Sequence, residues 1–281
     1  SEAFKKVTEL NPNYANGFND LGITLQMLGK YEEAIKAYKN ALLLRPNYAE
    51  VYNNIGNTLK DQGKLNEALD AYKQAVLLIP DTPEIHNNLG LTLKEQDKFD
   101  EAVEAYDRAL SLKPDYFEAY NNKGNALKDQ GKLEEAISSY KKAIKIKPDF
   151  ADARLNLSFV LLSYGKLKVG LDEYEWRWKT NKFLSQQRHF TQPLWDGKQS
   201  LKDKTILLWS EQGIGDTINW SSLILFVSSQ AKSCILECQE KLVPLLKRSF
   251  PNIEIKPNNS NDDKERDDFD LHLPMGSLYS H

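Results

Sequence analysis

Apolar residues in the first part of the chain fall at i, i+3, i+4 and i+7, the spacing that lines one face of a helix. Over Ala15–Leu28 the stripe is Phe18, Leu21, Gly22 and Leu25; over the next stretch it is Ala34, Ile35, Tyr38, Ala41 and Leu42. Gly29 lies between the two stripes, where a left-handed residue can close the first helix, and Pro46 stops the second. The pattern predicts a helical hairpin. Shifted by 34 residues, it nearly reproduces itself: Gly22, Gly56, Gly90 and Gly124 fall in step, as do Ala34, Ala68, Ala102 and Ala136. Tyr38, Tyr72, Tyr106 and Tyr140 keep the same interval, and so do Pro46, Pro80, Pro114 and Pro148. A fixed period in this range predicts an α-solenoid of stacked hairpins. The small residues at Gly22, Ala34 and Ala41 let paired helices approach closely, while Phe18 and Tyr38 fill the space around them.

The boundaries follow from the period: a half repeat over 1–14, full repeats at 15–48, 49–82, 83–116 and 117–150, and a degenerate capping repeat at 151–178. In the half repeat Phe4 takes the Tyr72 position and Pro12 the Pro80 position. A lone second helix exposes its apolar stripe, so further chain is expected before Ser1. Asp97 replaces the turn glycine in the third unit, a residue that tolerates the left-handed region. Lys123 replaces a helix leucine in the fourth, explained on sequence only by a snorkelling stem. In the fifth unit Ser158 and Gly170 replace the packing glycine and alanine, and the segment ends YEWRW, whose Trp176 and Trp178 are expected to pack at a junction.

The residues that recur, aromatic–Leu–Gly followed by Ala–Tyr–Ala–Pro, resemble the tetratricopeptide repeat. The resemblance implies a right-handed superhelix with the first helix of each pair on the concave wall. Two adjacent positions of that helix read Asn19, Asn53, Asn87, Asn121 and Asp20, Asn54, Asn88, Asn122, Asn156. Asparagine is a poor mid-helix residue, yet its amide both donates and accepts and can grip a peptide bond whatever the ligand's sequence. The series is similar to the asparagine ladder of the O-linked N-acetylglucosamine transferases, which implies a polypeptide ligand in the groove. The alternative is a solvated polar position copied by repeat duplication. Glu50, Glu84, Glu118 and Asp152 beside Lys60, Lys94 and Lys128 read as a solvated face.

After Trp178 the period ends. Residues 179–203 form a polar connector containing QPLWDG, and 204–281 alternate in element type. Strands are expected at Lys204–Trp209, Lys232–Cys238, Asn252–Ile255 and Phe269–Leu273. Helices are expected at Thr217–Gln230 and Lys241–Phe250, and a polar loop at Pro257–Asp268. This order predicts a parallel sheet of Rossmann type. Sites on such sheets lie at the carboxyl ends of strands, here the Ser210–Thr217 and Pro274–Leu278 loops. The first holds Gly213-Ile214-Gly215-Asp216; Ile218 stands where a dinucleotide fingerprint needs its third glycine. Asp216 reads equally as a helix-end carboxylate stabilised by the dipole. Lone histidines, His272 and His281, read as structural.

The order of YEWRW, LWDG, a KTILL strand and EQGIGDT looks like a family joining tetratricopeptide repeats to a heptosyltransferase-like glycosyltransferase domain. The resemblance implies Asp216 as the base that deprotonates an acceptor hydroxyl, with Glu211, Gln212, Gly213, Gly215 and Thr217 as acceptor contacts. Members of that family have two Rossmann-type lobes, the second binding a nucleotide sugar. Only one fits between Lys179 and His281, so the lobe reads as truncated, the nucleotide sugar belongs to a longer protein, and no transfer is expected of this chain.

Charge changes little in this picture and closes off other classes. The net charge is −3 over 281 residues, with 24 basic and 27 acidic residues up to Trp178 and 13 of each beyond it. Neither part has the basic surplus that nucleic acid requires. Cys234 and Cys238 fall on one strand, pointing the same way about 13 Å apart, too far for a bridge. A reduced, cytoplasmic setting is expected. No apolar run approaches a membrane span or a signal peptide, and no metal site is evident. Two functions remain: a polypeptide-binding superhelix fused to a glycosyltransferase acceptor lobe, or a scaffold with a structural α/β cap. Oligomeric state is not legible.

Overall fold

The computed structural model describes residues 11–184, 186–211, 213–258, 263 and 266–280. The expected half repeat falls mostly outside them. The chain divides into two compact units, Ser1–Val160 and Leu161–His281.

The first unit is a series of helical hairpins. Its helices are α1 (Ala15–Met27), α2 (Tyr31–Leu44), α3 (Ala49–Asp61), α4 (Leu65–Leu78), α5 (Pro83–Glu95), α6 (Phe99–Leu112), α7 (Phe117–Asp129) and α8 (Leu133–Ile146). The unit boundary falls within α9 (Ala151–Ser163). Why the period conserves glycine opposite tyrosine is visible in the packing. A Cβ built on Gly56 would lie 2.6 Å from the Tyr72 ring, and the same clash recurs at 2.4 Å for Gly22 on Tyr38, 2.7 Å for Gly90 on Tyr106 and 2.6 Å for Gly124 on Tyr140. Each tyrosine is fully buried in the crevice its glycine opens, between alanines such as Ala68 and Ala75 that are themselves fully buried. Burying each such ring contributes roughly 2–3 kcal/mol.

The hairpin turns use the left-handed region, with φ of +71° at Gly29, +74° at Gly63 and +77° at Gly131. Asp97 adopts φ 58°, alone among the described non-glycine residues. Lys123 is more than a snorkelling stem. Its ammonium pairs with Asp107 of α6 at 2.5 Å. The residues equivalent to Asp107 in the other units are Lys39, Lys73 and Lys141, so the leucine-to-lysine and lysine-to-aspartate departures compensate each other.

In the second unit α10 (Leu167–Tyr174) runs into a 3-10 turn at Glu175–Lys179 and a single helical turn at Asn181–Leu184. Gly170 packs against Leu162, where a Cβ would come within 2.9 Å. Four parallel strands follow: β1 (Thr205–Trp209), β2 (Ser233–Cys238), β3 (Glu254–Pro257) and β4 (Leu271–Pro274), in the order β3-β2-β1-β4. Leu207 faces Ile235 on one side and His272 on the other. β4 begins two residues later than the alternation suggests. The helix expected over Thr217–Gln230 is two, α11 (Ile214–Trp220) and α12 (Ile224–Gln230), separated by a 3-10 turn at Ser221–Leu223. The second expected helix shortens to α13 (Val243–Ser249), after a 3-10 turn at Glu240–Leu242, because Pro244 favours a first-turn position.

Both faces of the sheet are covered, as parallel sheets require. Ile206, Leu208, Leu236 and Leu273 pack with Ile224 and Val227 of α12 and Leu246 of α13. Leu207, Trp209, Ile235 and Phe269 pack on the other face with Trp178 and Phe190. The connector covers the outer edge of β4: Leu194 bridges His272 in parallel, and the Trp195 N–H donates to the His272 carbonyl at 2.9 Å. Cys234 and Cys238 are both buried free thiols in β2, and burial pushes them up to about 12 and about 11. Among the described residues no helix is long and apolar enough to cross a membrane.

Candidate functional site

Helices α1, α3, α5, α7 and α9 carry the two asparagine series, and the series bond to each other. The Asn54 amide donates to the Asn19 carbonyl oxygen at 2.9 Å, Asn88 to Asn53 at 3.1 Å, Asn122 to Asn87 at 3.0 Å and Asn156 to Asn121 at 2.9 Å. Each bond spans 35 residues and ties the first helix of one repeat to that of the repeat before. Asn19, Asn87 and Asn121 are buried, while Asn53 and the donors Asn54, Asn88, Asn122 and Asn156 are partly exposed. Asp20, the first member of the donor series, is also partly exposed. The two series therefore divide the work: one accepts, buried at Asn19, Asn87 and Asn121, and the other donates from a partly exposed position with its amide plane fixed.

The ladder connects to the core. The Tyr72 hydroxyl donates to Asn57 at 2.7 Å, and Asn88 lies 3.3 Å from the same oxygen. Tyr140 bonds Asn125 in the same way at 2.8 Å, and Tyr38 uses Gln26 at 3.2 Å. In the third unit Leu91 replaces that asparagine, and the Tyr106 hydroxyl is buried without a partner among the described residues. Burial pushes all four phenols upward. Lys94 bonds Asp129 of the next repeat at 3.0 Å, so part of the charged face expected to be solvated is paired across repeats.

At the carboxyl end of β1 the predicted residues part company. Glu211 is buried: its carboxylate takes the Arg177 guanidinium at 3.2 Å and the Gly276 N–H at 3.0 Å. A Cβ on Gly276 would sit 2.3 Å from that carboxylate and would displace it from Arg177. Burial pushes the Glu211 carboxyl upward, against the pull of Arg177. Thr217 is also buried, its hydroxyl within reach of the Gly213 carbonyl at 3.1 Å and Gln239 at 3.0 Å. Gly213, Gly215 and Asp216 are exposed, with Asp216 in the first turn of α11. Neither glycine has a positive φ, and a Cβ on Gly215 would meet nothing. Gln212 and His281 lie outside the described residues.

Three arginines that hold this end together carry no motif in the sequence. Arg177 is fully buried; beyond Glu211 it donates to Glu175 at 2.8 Å and Ser277 at 2.7 Å. The guanidinium lies over the Tyr174 and Trp178 rings. In YEWRW the arginine between the two tryptophans is the buried residue, and the flanking aromatics are only partly buried. Arg188 grips Asp263 through two nitrogens and bonds Glu237 at 2.5 Å, and Arg266 bonds Glu237 and Asp268. Among the described residues no group of His, Cys, Asp and Glu is arranged to hold a metal.

The fold is a solenoid of paired helices joined in sequence to a four-stranded parallel-sheet unit. A TPR repeat family model matches residues 27–63, 56–97, 90–131 and 124–165, and a second tetratricopeptide repeat model matches 3–36. The chain belongs to the tetratricopeptide-repeat proteins. A crystal structure of MamA is similar at 27% identity and TM-score 0.53, over 59% of this chain and 97% of MamA. YrrB, a TPR protein with an unusual peptide-binding site, is similar at 24% identity and TM-score 0.52, over 64% of this chain and 93% of its own. Pseudomonas aeruginosa PilF shares the fold at 21% identity and TM-score 0.55, over 63% of this chain and 80% of its own. No curated relative matches.

Proposed function

We propose that the repeat unit binds an extended polypeptide through its surface asparagines, and that the second unit is the acceptor lobe of a glycosyltransferase. The observation that carries the first part is the alignment of Asn54, Asn88, Asn122 and Asn156, one per repeat, each partly exposed and each held by the repeat before it. At Asn54, Asn122 and Asn156 one N–H of the amide is spent on the ladder, while at Asn88 the nitrogen reaches both Asn53 and Asn57 and leaves its carbonyl oxygen as the group to offer. At the other three the carbonyl oxygen and the second N–H can meet a peptide group, which offers the complementary pair. A fixed amide loses little rotamer freedom on binding. The peptide-binding site described for YrrB supports the reading. Fluorescence anisotropy with unrelated unfolded polypeptides tests it. Affinities within about threefold of one another, little changed by salt, are expected of backbone recognition; strong dependence on sequence or salt would reject it.

For the second unit, the order β3-β2-β1-β4 agrees with the first half of the Rossmann arrangement. The open space over Gly215, with Asp216 itself exposed, leaves that carboxylate accessible to a hydroxyl. The nucleotide sugar belongs to a second lobe of a longer protein. In such a protein Asp216→Asn should abolish transfer with folding intact; retained transfer removes Asp216 from the chemistry. A structural cap is the competing reading, favoured by Glu211 and Thr217, which are buried and engaged in holding the loop.

A further inference from the structure

The ladder residues recur at a set interval, and that interval selects the conformation of what they hold. Helices α1, α3, α5 and α7 pack directly on one another in succession, and packed helices lie about 8–10 Å apart. Asn54, Asn88 and Asn122 take the same place on consecutive members of this series, 34 residues apart in sequence. The bond from Asn156 to Asn121 at 2.9 Å carries the row onto α9. One partly exposed amide is therefore offered about every 8–10 Å. The bonds to Asn19, Asn53, Asn87 and Asn121 hold the amides in place, so a ligand must meet their spacing rather than the reverse.

Three backbone conformations can be set against that interval. An α-helix spends its N–H and C=O groups internally and has none for the ladder. A β-strand turns both groups to the same side at every second residue, about 6.6 Å apart, and so falls short by roughly 2 Å at each repeat. At every third residue its separation is right, but its groups point the opposite way. Polyproline II advances about 3.1 Å per residue with three residues per turn, about 9.3 Å in all, and makes no internal hydrogen bonds. It returns the same backbone face to the ladder at every third residue. We propose that the asparagine row binds its polypeptide as a polyproline II helix, with the N–H and C=O of every third residue turned to one ladder amide. The inference rests on the polypeptide reading above and adds the ligand's conformation and period. At Asn88, whose nitrogen is taken by Asn53 and Asn57, only the carbonyl oxygen is offered, so the residue bound there supplies an N–H and is not proline. Unfolded chains visit polyproline II often, so long polypeptides of unrelated sequence share the fit, and short periodic peptides reveal the selection.

Fluorescence anisotropy of the whole chain with three labelled peptides of equal length tests it: four Pro-Pro-Ala triplets, six Pro-Ala pairs, and proline throughout. In polyproline II the triplet peptide brings an N–H to the ladder at every turn. The pair peptide has more N–H groups but brings one to that side only at every second turn, and proline throughout has none to offer. The triplet peptide should bind at least about fivefold tighter than the pair peptide and at least about tenfold tighter than proline throughout. Asn54→Ala, Asn88→Ala and Asn122→Ala together should abolish that advantage, with the far-ultraviolet circular dichroism unchanged. A pair peptide that binds as tightly as the triplet, the result expected of a β-strand ligand, overturns the proposal. So does an advantage that survives the triple replacement. An unfolded polypeptide that binds where the triplet peptide does not overturns the conformation alone; if neither binds, the polypeptide reading falls with it.

Discussion

The Tyr72 hydroxyl bonds the Asn57 side chain at 2.7 Å, and through that oxygen a core aromatic joins the asparagine ladder. Tyr106 holds the same place one repeat later, with Leu91 where the acceptor should be. Tyr72→Phe should therefore cost about 1 kcal/mol, the net worth of a buried hydrogen bond. Tyr106→Phe removes an unsatisfied hydroxyl and should be neutral or stabilising. Urea denaturation followed by far-ultraviolet circular dichroism separates the two; equal losses at both positions would show that Tyr106 has a partner.

The glycine–tyrosine contact makes a second prediction. Alanine is the better helix former by about 1 kcal/mol, yet Gly124→Ala puts a methyl 2.6 Å from the Tyr140 ring. Overpacking costs about 1–3 kcal/mol, so a net destabilisation of about 1–2 kcal/mol is expected after the propensity gain. A melting temperature that rises would mean the helices separate freely and the crevice is not required.

Asp97 is the converse case. At φ 58° a side chain is strained, whereas Gly63 and Gly131 hold the equivalent turns without a Cβ. Asp97→Gly should stabilise the repeats by roughly 0.5–1 kcal/mol, the left-handed penalty less the added entropy of an unfolded glycine. Thermal melts of the two proteins decide the sign.

His272 ties the second unit to pH. Burial lowers its imidazole from 6.5 to about 4, so between those values the unfolded chain binds a proton that the folded chain does not. This contribution to stability is complete above about pH 6.5 and declines on acidification, by about 1.4 kcal/mol per pH unit once below it. The five tryptophans all lie at or beyond Trp176, so their fluorescence reports this unit. His272→Asn, which keeps a hydrogen-bonding side chain, should flatten the decline between pH 6.5 and 5. An unchanged slope assigns the acid sensitivity elsewhere.

The repeats were legible because a 34-residue period restates each packing rule four times: Gly56 and Tyr72 can be paired on sequence since Gly22 and Tyr38 repeat them. What the period hides is contact between neighbouring copies. The bond from Asn88 to Asn53 joins two residues that sequence reads as parallel members of a surface series, and the exchange of Lys123 with Asp107 looks like an isolated anomaly until helices are stacked. In the sheet unit, alternation located all four strands. The carboxyl-end loops were harder, because charged residues there bond across the fold: Arg177 finds Glu211 34 positions away and Ser277 100 away. A carboxylate in a loop reads as available chemistry until its partner is known.

The central claim, that the exposed asparagines grip a polypeptide, is tested most directly by its affinity for a fluorescent unfolded polypeptide after Asn54, Asn88 and Asn122 are replaced together by Ala. The account predicts a loss of at least about tenfold with helicity retained, while Asn87→Ala, at a buried acceptor, lowers stability and leaves affinity nearly intact. An affinity unchanged in the triple variant would contradict it.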